Sequence, residues 1–288
     1  MKFGIVPGYG MAPVEEGGFA AASARLIEEM GFESIWTIEH VVVPAEYASR
    51  YPYDASGRMP VENVAMPDPL VWLAYVAAAT TRIRLGTGVL ILPQRNPVLL
   101  AKELASLDRL SGGRLLLGIG LGWLREESEA LGIPFERRGA RTREAVEAMR
   151  ALWRDDEASY AGEHVAFERV RCSPRPANPA GVPIHVGGHT DAAARRAGTL
   201  GDGFFPFGVA PERLRALLEI VARAADAAGR DAAEIEVTCV APAELQAVEA
   251  LVAEGADRIA IFAPAADLDS LGDFLVDLRE RVIDPLGG

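Results

Sequence analysis

The chain has 288 residues, and because half of them are apolar and 24% are charged, it can bury one large hydrophobic core. The formal net charge of −12 argues against a broad basic surface for nucleic acid or anionic lipid, although it is compatible with one local basic pocket. The two cysteines, Cys172 and Cys239, lie far apart and form neither a CxxC pair nor a disulfide framework.

The N-terminal residues MKFGIVPGYG form a short apolar run that glycine and proline interrupt. This run is too short for a membrane span and too interrupted for the core of a secretion signal. We therefore expect a cytoplasmic protein with a single domain at 1–288. Its expected partner is a small molecule, rather than a nucleic acid or a membrane.

Short aliphatic or β-branched runs alternate with longer amphipathic stretches, which is typical of consecutive β-α units around a parallel sheet. The first four units are a strand at 2–6 with a helix at 17–30, a strand at 33–38 with a helix at 69–80, a strand at 83–92 with a helix at 97–110, and a strand at 114–120 with a helix at 139–153. A long Tyr-rich loop at 41–67 follows the second strand, and Asp68 is well placed to cap the helix after it.

A predicted hairpin at 158–176 precedes the last four units. These are a strand at 183–186 with a helix at 192–201, a strand at 203–207 with a helix at 211–228, a strand at 234–240 with a helix at 244–254, and a strand at 258–262 with a helix at 267–282. Eight such units predict an α/β fold, a (β/α)8 TIM barrel with insertions after strands two and four. A doubly wound sheet is the alternative, but the first β-α turn lacks its GxGxxG spacing.

Polar residues at the carboxyl ends of the strands are the candidate functional residues, because active sites of this fold lie there. Glu39 and His40 follow strand two, and histidine is the side chain best suited to exchange a proton near neutral pH. Alternatively, His40 caps the strand or bonds the long loop, and Glu39 only keeps the pair soluble.

Glycines follow strands four and five. Gly120 and Gly122 leave the backbone open to a flat ring or a phosphate, or else they only permit a tight turn. The second set precedes a helix whose free N–H groups suit a phosphate, and it comprises Gly187, Gly188, His189 and Thr190.

Metal ligands are not expected. His185 and His189 are four residues apart, but the intervening Val-Gly-Gly excludes a helical metal face. A metal-dependent barrel hydrolase is nevertheless kept as an alternative, and bound zinc or manganese in the purified protein would support it. The sequence contains no GxSxG elbow and no Walker-type GK[ST] loop.

The stretch RIRLGTGVLILPQRNPVLLAKELASLDRLSGGRLLLGIGLGW at 82–123 resembles the luciferase-like monooxygenase family, and most of all its actinobacterial branch that uses the deazaflavin coenzyme F420. The resemblance continues through WTIEHVVVP, YASRYPYDASG, YAGEHVAFERVRCSPRP and VPIHVGGHT, and so covers most of 1–210. It implies an oxidoreductase that moves a hydride between F420, or alternatively FMN, and a small organic molecule. It also implies a homodimer.

Residue by residue, the resemblance implies a non-prolyl cis peptide at Gly88-Val89 that supports one face of the ring. It places Glu39 and His40 over the reactive face, with His40 exchanging a proton with the substrate. Gly120 and Gly122 would border the ring or its ribityl chain. The phosphate would be held by Gly187, Gly188 and Thr190.

One position departs from the family pattern. Some deazaflavin dehydrogenases carry an acidic residue directly after the strand-four glycines, where this sequence has Trp123. Glu126 or Glu127 is then the candidate for a second proton-transfer group. Tyr47, Tyr51 and Tyr53 either close the pocket over substrate or pack the long loop against the barrel rim. A non-catalytic flavin-binding relative is the remaining alternative, and the substrate is not predicted.

Overall fold

Eight strands of the computed structural model, which describes residues 1–60 and 62–287, form a closed parallel barrel with helices on its outside. The described residues contain eleven strands in all, namely β1 (Lys2–Val6), β2 (Ser34–Thr37), β3 (Arg84–Thr87), β4 (Leu90–Ile91), β5 (Leu115–Gly120), β6 (Ala158–Ala161), β7 (Ala166–Val170), β8 (Ile184–Gly187), β9 (Gly203–Phe205), β10 (Glu236–Val240) and β11 (Arg258–Phe262). The order around the barrel is β1, β2, β3, β5, β8, β9, β10 and β11, and β11 pairs with β1 to close it.

The helices lie between successive barrel strands. They are α1 (Gly17–Glu29), α2 (Pro69–Ala79), α3 (Pro97–Ser111), α4 (Arg125–Ala130), α5 (Arg138–Arg154), α6 (Asp191–Leu200), α7 (Pro211–Ala227), α8 (Leu245–Ala253) and α9 (Leu268–Leu278), which a π-helical turn at Arg279–Ile283 extends. The Asp68 carboxylate caps α2 by accepting from two backbone N–H groups, as predicted. The TIM-barrel prediction is confirmed.

Two predicted segments differ in detail. The strand expected at 83–92 is interrupted at Gly88-Val89, where the peptide bond is cis as the resemblance implied, and it continues as the short strand β4. The insertion that the sequence predicts between β5 and α5 contains the short helix α4, which is not predicted because six residues are too few to show helical periodicity. The predicted hairpin is present as the antiparallel pair β6 and β7.

Trp36 of β2 fills the middle of the barrel and is fully buried. A Cβ on Gly4 of β1 would lie 2.6 Å from its indole nitrogen, and a Cβ on Gly86 of β3 would lie 2.3 Å from its ring. Both strands flank β2, so glycines on each side make room for the indole. Its N–H donates to the Ser34 hydroxyl at 2.9 Å, and its ring packs 5.1 Å from Phe205 of β9 across the barrel. The barrel therefore has a solid floor beneath its carboxyl-terminal end.

Within the described ranges, none of the helices combines the length and the apolar character that crossing a membrane requires. The outward side chains Val71 and Tyr75 of α2 and Leu99 of α3 are exposed to solvent. The homodimer stays a prediction.

Gly118 of β5 tests how tightly the upper barrel is packed. A Cβ at this position would lie 1.9 Å from the carbonyl oxygen of Thr87, which is backbone and cannot rotate away. We expect Gly118→Ala to destabilise the fold by about 3 kcal/mol or more. The matched control is Gly18→Ala near the start of α1, where nothing lies within 4 Å of the added Cβ, and where alanine should stabilise by roughly 0.5 kcal/mol. Urea unfolding midpoints measure both, and equal midpoints would contradict this packing.

Candidate active site

A cavity of about 630 Å³ opens at the carboxyl-terminal ends of the barrel strands. Its volume falls in the range of roughly 300–1,000 Å³ that small-molecule and cofactor sites occupy. All ten residues that the sequence analysis selected lie in its wall, namely Glu39, His40, Gly88, Val89, Gly120, Gly122, Gly187, Gly188, His189 and Thr190. The structure thus brings the predicted catalytic pair and the predicted cofactor-binding residues into one site.

Val89 forms one wall of this cavity, and glycines on neighbouring strands make room for its side chain. A Cβ on Gly120 of β5 would lie 2.6 Å from one Val89 methyl group, and a Cβ on Gly187 of β8 would lie 2.8 Å from the other. These two glycines therefore leave room for the Val89 side chain, and this packing role does not depend on which ligand the cavity binds. Gly88 and Gly122 line the same side.

Glu39 is buried at the end of β2, and both of its carboxylate oxygens are engaged. One accepts from the backbone N–H of Ile91 in β4, and the other pairs with the Arg95 guanidinium. Arg95 also donates to Asp68 at 2.8 Å, and thereby links Glu39 to the start of α2. These contacts favour a positioning role for Glu39, which holds the segment after Val89 against β2. Its catalytic role stays a prediction.

His40 is fixed by a fully buried carboxylate. Its Nδ1 lies 3.0 Å from one oxygen of Glu127, whose other oxygen accepts from the backbone N–H of Val41 at 2.7 Å. Because a carboxylate oxygen accepts in this contact, the neutral form of the imidazole carries its proton on Nδ1 and a lone pair on Nε2. Over the part of the chain that the structure describes, Nε2 has no hydrogen-bond partner. The ring is therefore held in one tautomer with Nε2 left for a molecule in the cavity.

Glu126, the neighbouring acid, has a different role. Its carboxylate accepts from the backbone N–H groups of Ala48 at 2.7 Å and Ser49 at 3.1 Å. Burial is the largest single influence and raises the pKa of Glu126, but the hydrogen bonds from the Ser49 side chain and from the backbone together outweigh it and lower the pKa to about 2. Of the two acids that the sequence offered, Glu127 contacts His40, whereas Glu126 fastens the long loop to α4.

Trp123 stands where some deazaflavin dehydrogenases carry an acid, and it forms an aromatic cluster with the long loop. Its ring lies 5.8 Å from His40, 5.6 Å from Tyr47 and 5.3 Å from Tyr51, each edge to face. The Tyr47 hydroxyl bonds Glu62 within the same loop, so Tyr47 packs the loop onto the rim.

Tyr51 and Tyr53 instead line the cavity and cover it. Tyr53 lies 4.9 Å from the ring of His189 after β8 and 4.9 Å from Phe207 after β9. The loop after β2 therefore reaches across the mouth of the barrel to its opposite rim. Tyr47 therefore packs the long loop against the barrel rim. Tyr51 and Tyr53 pack the loop in the same way and also cover the cavity.

The start of α6 forms the opposite end of the cavity. The Thr190 hydroxyl accepts from the backbone N–H of Ala193 at 3.2 Å and so acts as the N-cap. The N–H groups of Asp191 and Ala192 donate to no acceptor within the described residues, and helix N-termini with free N–H groups attract anions. Burial lowers the pKa of His189, so its imidazole is neutral at pH 7.

Arg196 lies one turn further along α6 and also lines the cavity. None of the carboxylates in the described ranges approaches it to ion-pair distance. Burial, and then the neighbouring charges of Arg143 and Arg138, lowers the pKa of its guanidinium. The α6 end of the cavity is therefore cationic and lacks a protein counter-ion.

Metal ligands are not gathered anywhere in 1–60 or 62–287, where no group of three or more His, Cys, Asp or Glu side chains is placed to hold an ion. His185 is buried inside the barrel, 3.6 Å from Glu236, and is not part of the cavity wall.

A profile of the luciferase-like monooxygenase family matches residues 1–278. The chain belongs to this family.

Two sequence relatives and one solved structure are similar to this luciferase-like protein. It is 38% identical over 188 residues to an uncharacterised protein of Mycobacterium tuberculosis, and the match covers 65% of each chain. It is 35% identical to the F420-dependent glucose-6-phosphate dehydrogenase of Kineococcus radiotolerans over 65% of this chain and 51% of that one. The crystal structure of monooxygenase RslO1 from Streptomyces bottropensis superposes with a TM-score of 0.78 at 26% identity, covering 99% of this chain and 100% of that one.

Two residues of this luciferase-like site were either not predicted or not decided from the sequence. Arg196 carried a signal, since it lies in the run AAARRAG one turn after a predicted anion-binding helix start. Glu127 carried none that separates it from Glu126, because the choice depends on how α4 is oriented towards β2.

The Glu127→Gln variant tests the His40 tautomer. Glutamine replaces one carboxylate oxygen with an NH2 group that only donates, so the Val41 N–H and the His40 Nδ1–H, which lie on different oxygens in the wild type, cannot both keep their acceptor. In nitrogen-15 NMR at mildly alkaline pH, we expect the wild type to show His40 protonated on Nδ1, and the variant to lose that preference. Glu129→Gln, an exposed position on the same helix, is the control and should leave the spectrum unchanged. An unaltered His40 tautomer in Glu127→Gln would contradict this geometry.

Proposed function

We propose that this protein is an F420-dependent oxidoreductase that moves a hydride between the deazaflavin and a small organic substrate, with His40 exchanging the accompanying proton. The observation that carries the proposal is the placement of His40. Its Nε2 is free, its Nδ1 is held by buried Glu127, and it shares one cavity with Val89 and the glycines of β5 and β8.

The cavity fits a flavin or deazaflavin. Val89 offers a wall for one face of a flat ring, with Gly120 and Gly122 beside it. The free N–H groups at the start of α6 and the guanidinium of Arg196 would hold the phosphate. When bound, F420 supplies a ring carbon that accepts or gives up a hydride.

His40 would act as the general base for oxidation and the general acid for reduction. Its Nε2 lone pair accepts the hydroxyl proton of an alcohol, and the same nitrogen returns a proton to a carbonyl oxygen in the reverse direction. The Glu127 carboxylate stabilises the imidazolium that forms and keeps the ring from turning. Trp123 and Tyr51 stand over this position and exclude water from it.

Two observations favour F420 over FMN. Relatives at 35% and 36% identity, over 65% and 59% of this chain, are named F420-dependent enzymes. In addition, Arg196 lies in the field of Arg138 and Arg143, so that the cationic region extends beyond one phosphate group. FMN ends at its phosphate, whereas F420 carries carboxylates beyond its own phosphate, and these suit such a region.

Titration of the purified protein with F420 and, separately, with FMN tests the cofactor. We expect micromolar F420 binding, weak FMN binding, and an F420 affinity that falls as salt is raised. Tight FMN binding without F420 binding would instead establish the oxygen-using alternative, which the likeness to monooxygenase RslO1 also allows. Binding of neither would reject the proposal.

Arg196→Gln should weaken F420 binding roughly 10- to 100-fold, because it removes a half-buried charge-assisted contact. Arg143→Gln should weaken F420 binding less and leave FMN binding unchanged, since FMN has no carboxylates to reach it. Arg223→Gln, an exposed arginine on α7, is the control. Calorimetry measures all three, and equal effects of Arg143→Gln on both cofactors would contradict the preference for F420.

The His40→Ala variant tests the proton transfer. With F420 bound, we expect kcat to fall by about 100- to 10,000-fold, which is the usual contribution of a general acid-base group. The dissociation constant for F420 should stay within about twofold, because His40 is not assigned to hold the cofactor. Undiminished turnover would favour the non-catalytic interpretation of His40.

A further inference from the structure

The positively charged side chains in the cavity wall determine which substrates can bind there beside the cofactor. Arg196 is the one arginine or lysine in the wall formed by the described residues, and it lies on α6 beside the glycines after β8. The acidic side chain in that wall, Glu39, is already paired with Arg95. Once the cofactor phosphate lies against Arg196, no cation is left in this wall for an anionic substrate.

The wall next to the ends of β9, β11, β1 and β2 is apolar and comes from separate segments. Its large side chains are Met11, Met59, Met66, Phe207, Phe262 and Pro264. Methionine is flexible and polarizable, and it adapts to irregular hydrocarbon shapes. Among the described side chains near these residues, few polar atoms have no recorded hydrogen bond, and they are His40 Nε2, the hydroxyls of Tyr51 and Tyr53, and His189 Nδ1 beside Tyr53.

We propose that the substrate is a small uncharged molecule with a hydrocarbon body and a single oxygen function, an alcohol or a ketone, directed at His40. Sugar phosphates are excluded, although two relatives are named glucose-6-phosphate dehydrogenases. This inference rests on the proposed function for the position of the cofactor.

The physical basis is desolvation. A phosphate dianion that enters the apolar side loses its hydration, and no guanidinium or ammonium group replaces it. A sugar ring would leave most of its hydroxyls without partners, because few polar atoms face it. A hydrocarbon body gains from the same surroundings, since it is removed from water against methionine and aromatic side chains.

The effect of substrate charge can be distinguished from that of substrate polarity with three test substrates, namely cyclohexanol, glucose and glucose 6-phosphate. With F420 and the wild-type enzyme, we expect kcat/KM for glucose 6-phosphate to be about 100-fold or more below that for cyclohexanol, and glucose to be similarly poor. Comparable or better turnover of glucose 6-phosphate would overturn the inference, and so would turnover of none of the three by enzyme that is shown to have F420 bound.

A second readout does not need the cofactor. Trp123 lines the cavity, so cyclohexanone should alter the tryptophan fluorescence of the apoprotein, glucose 6-phosphate should not, and Trp123→Phe should abolish the response. If F420 fails to bind but cyclohexanone still acts on Trp123, the proposed function fails and the substrate class stands. If F420 binds but cyclohexanone has no effect, the substrate class fails.

Met66→Lys places a cation in the apolar wall. We expect it to weaken the fluorescence response to cyclohexanone by about tenfold or more and to improve the response to glucose 6-phosphate. Val276→Lys, which adds the same charge at an exposed position on α9, is the control. Unchanged ligand preference in Met66→Lys, with normal thermal stability, would overturn the inference.

Discussion

The contact between Glu127 and His40 is the interaction on which the account of this site depends. A carboxylate without solvent exposure accepts a hydrogen bond from an imidazole on one oxygen and from a backbone N–H on the other. The Glu127 carboxylate fixes both the orientation and the tautomer of the His40 ring, because every alternative leaves a buried donor or acceptor unpaired. It also joins α4, which follows β5, to the loop that follows β2. Glu127 therefore orients His40 and holds the first residues of this loop, whereas Glu126 fastens the loop further along at Ala48 and Ser49.

The Val89 wall of the cavity is shaped by the lack of side chains on the strands beside it. Gly120 and Gly187 give Val89 its room, and Gly4 and Gly86 do the same for Trp36 one layer below. In a closed barrel, neighbouring strands present side chains to a shared interior, so one large side chain requires small ones beside it. The result is a solid floor with a defined wall above it, and the open volume is confined to the carboxyl-terminal end.

Much of the fold could be predicted because it depends on local patterns. Runs that are apolar on both faces, separated by amphipathic helices, indicate parallel strands, and caps such as Asp68 mark helix starts. The placement of His40 near the glycines of β5 and β8 followed from the rule that strand ends meet at one rim. Glu127 could not be chosen over Glu126, because that choice depends on the orientation of a six-residue helix relative to another strand. Whether Arg196 has an ion-pair partner likewise depends on which carboxylates the folded chain brings near it.

A crystal structure of the protein with F420 bound tests the central claim most directly. The account predicts the deazaflavin ring against Val89, its phosphate between the start of α6 and Arg196, and His40 Nε2 facing the space above the ring with Nδ1 still on Glu127. A ring bound outside this cavity, or a His40 that turns away from it to bond the protein through Nε2, would contradict the account.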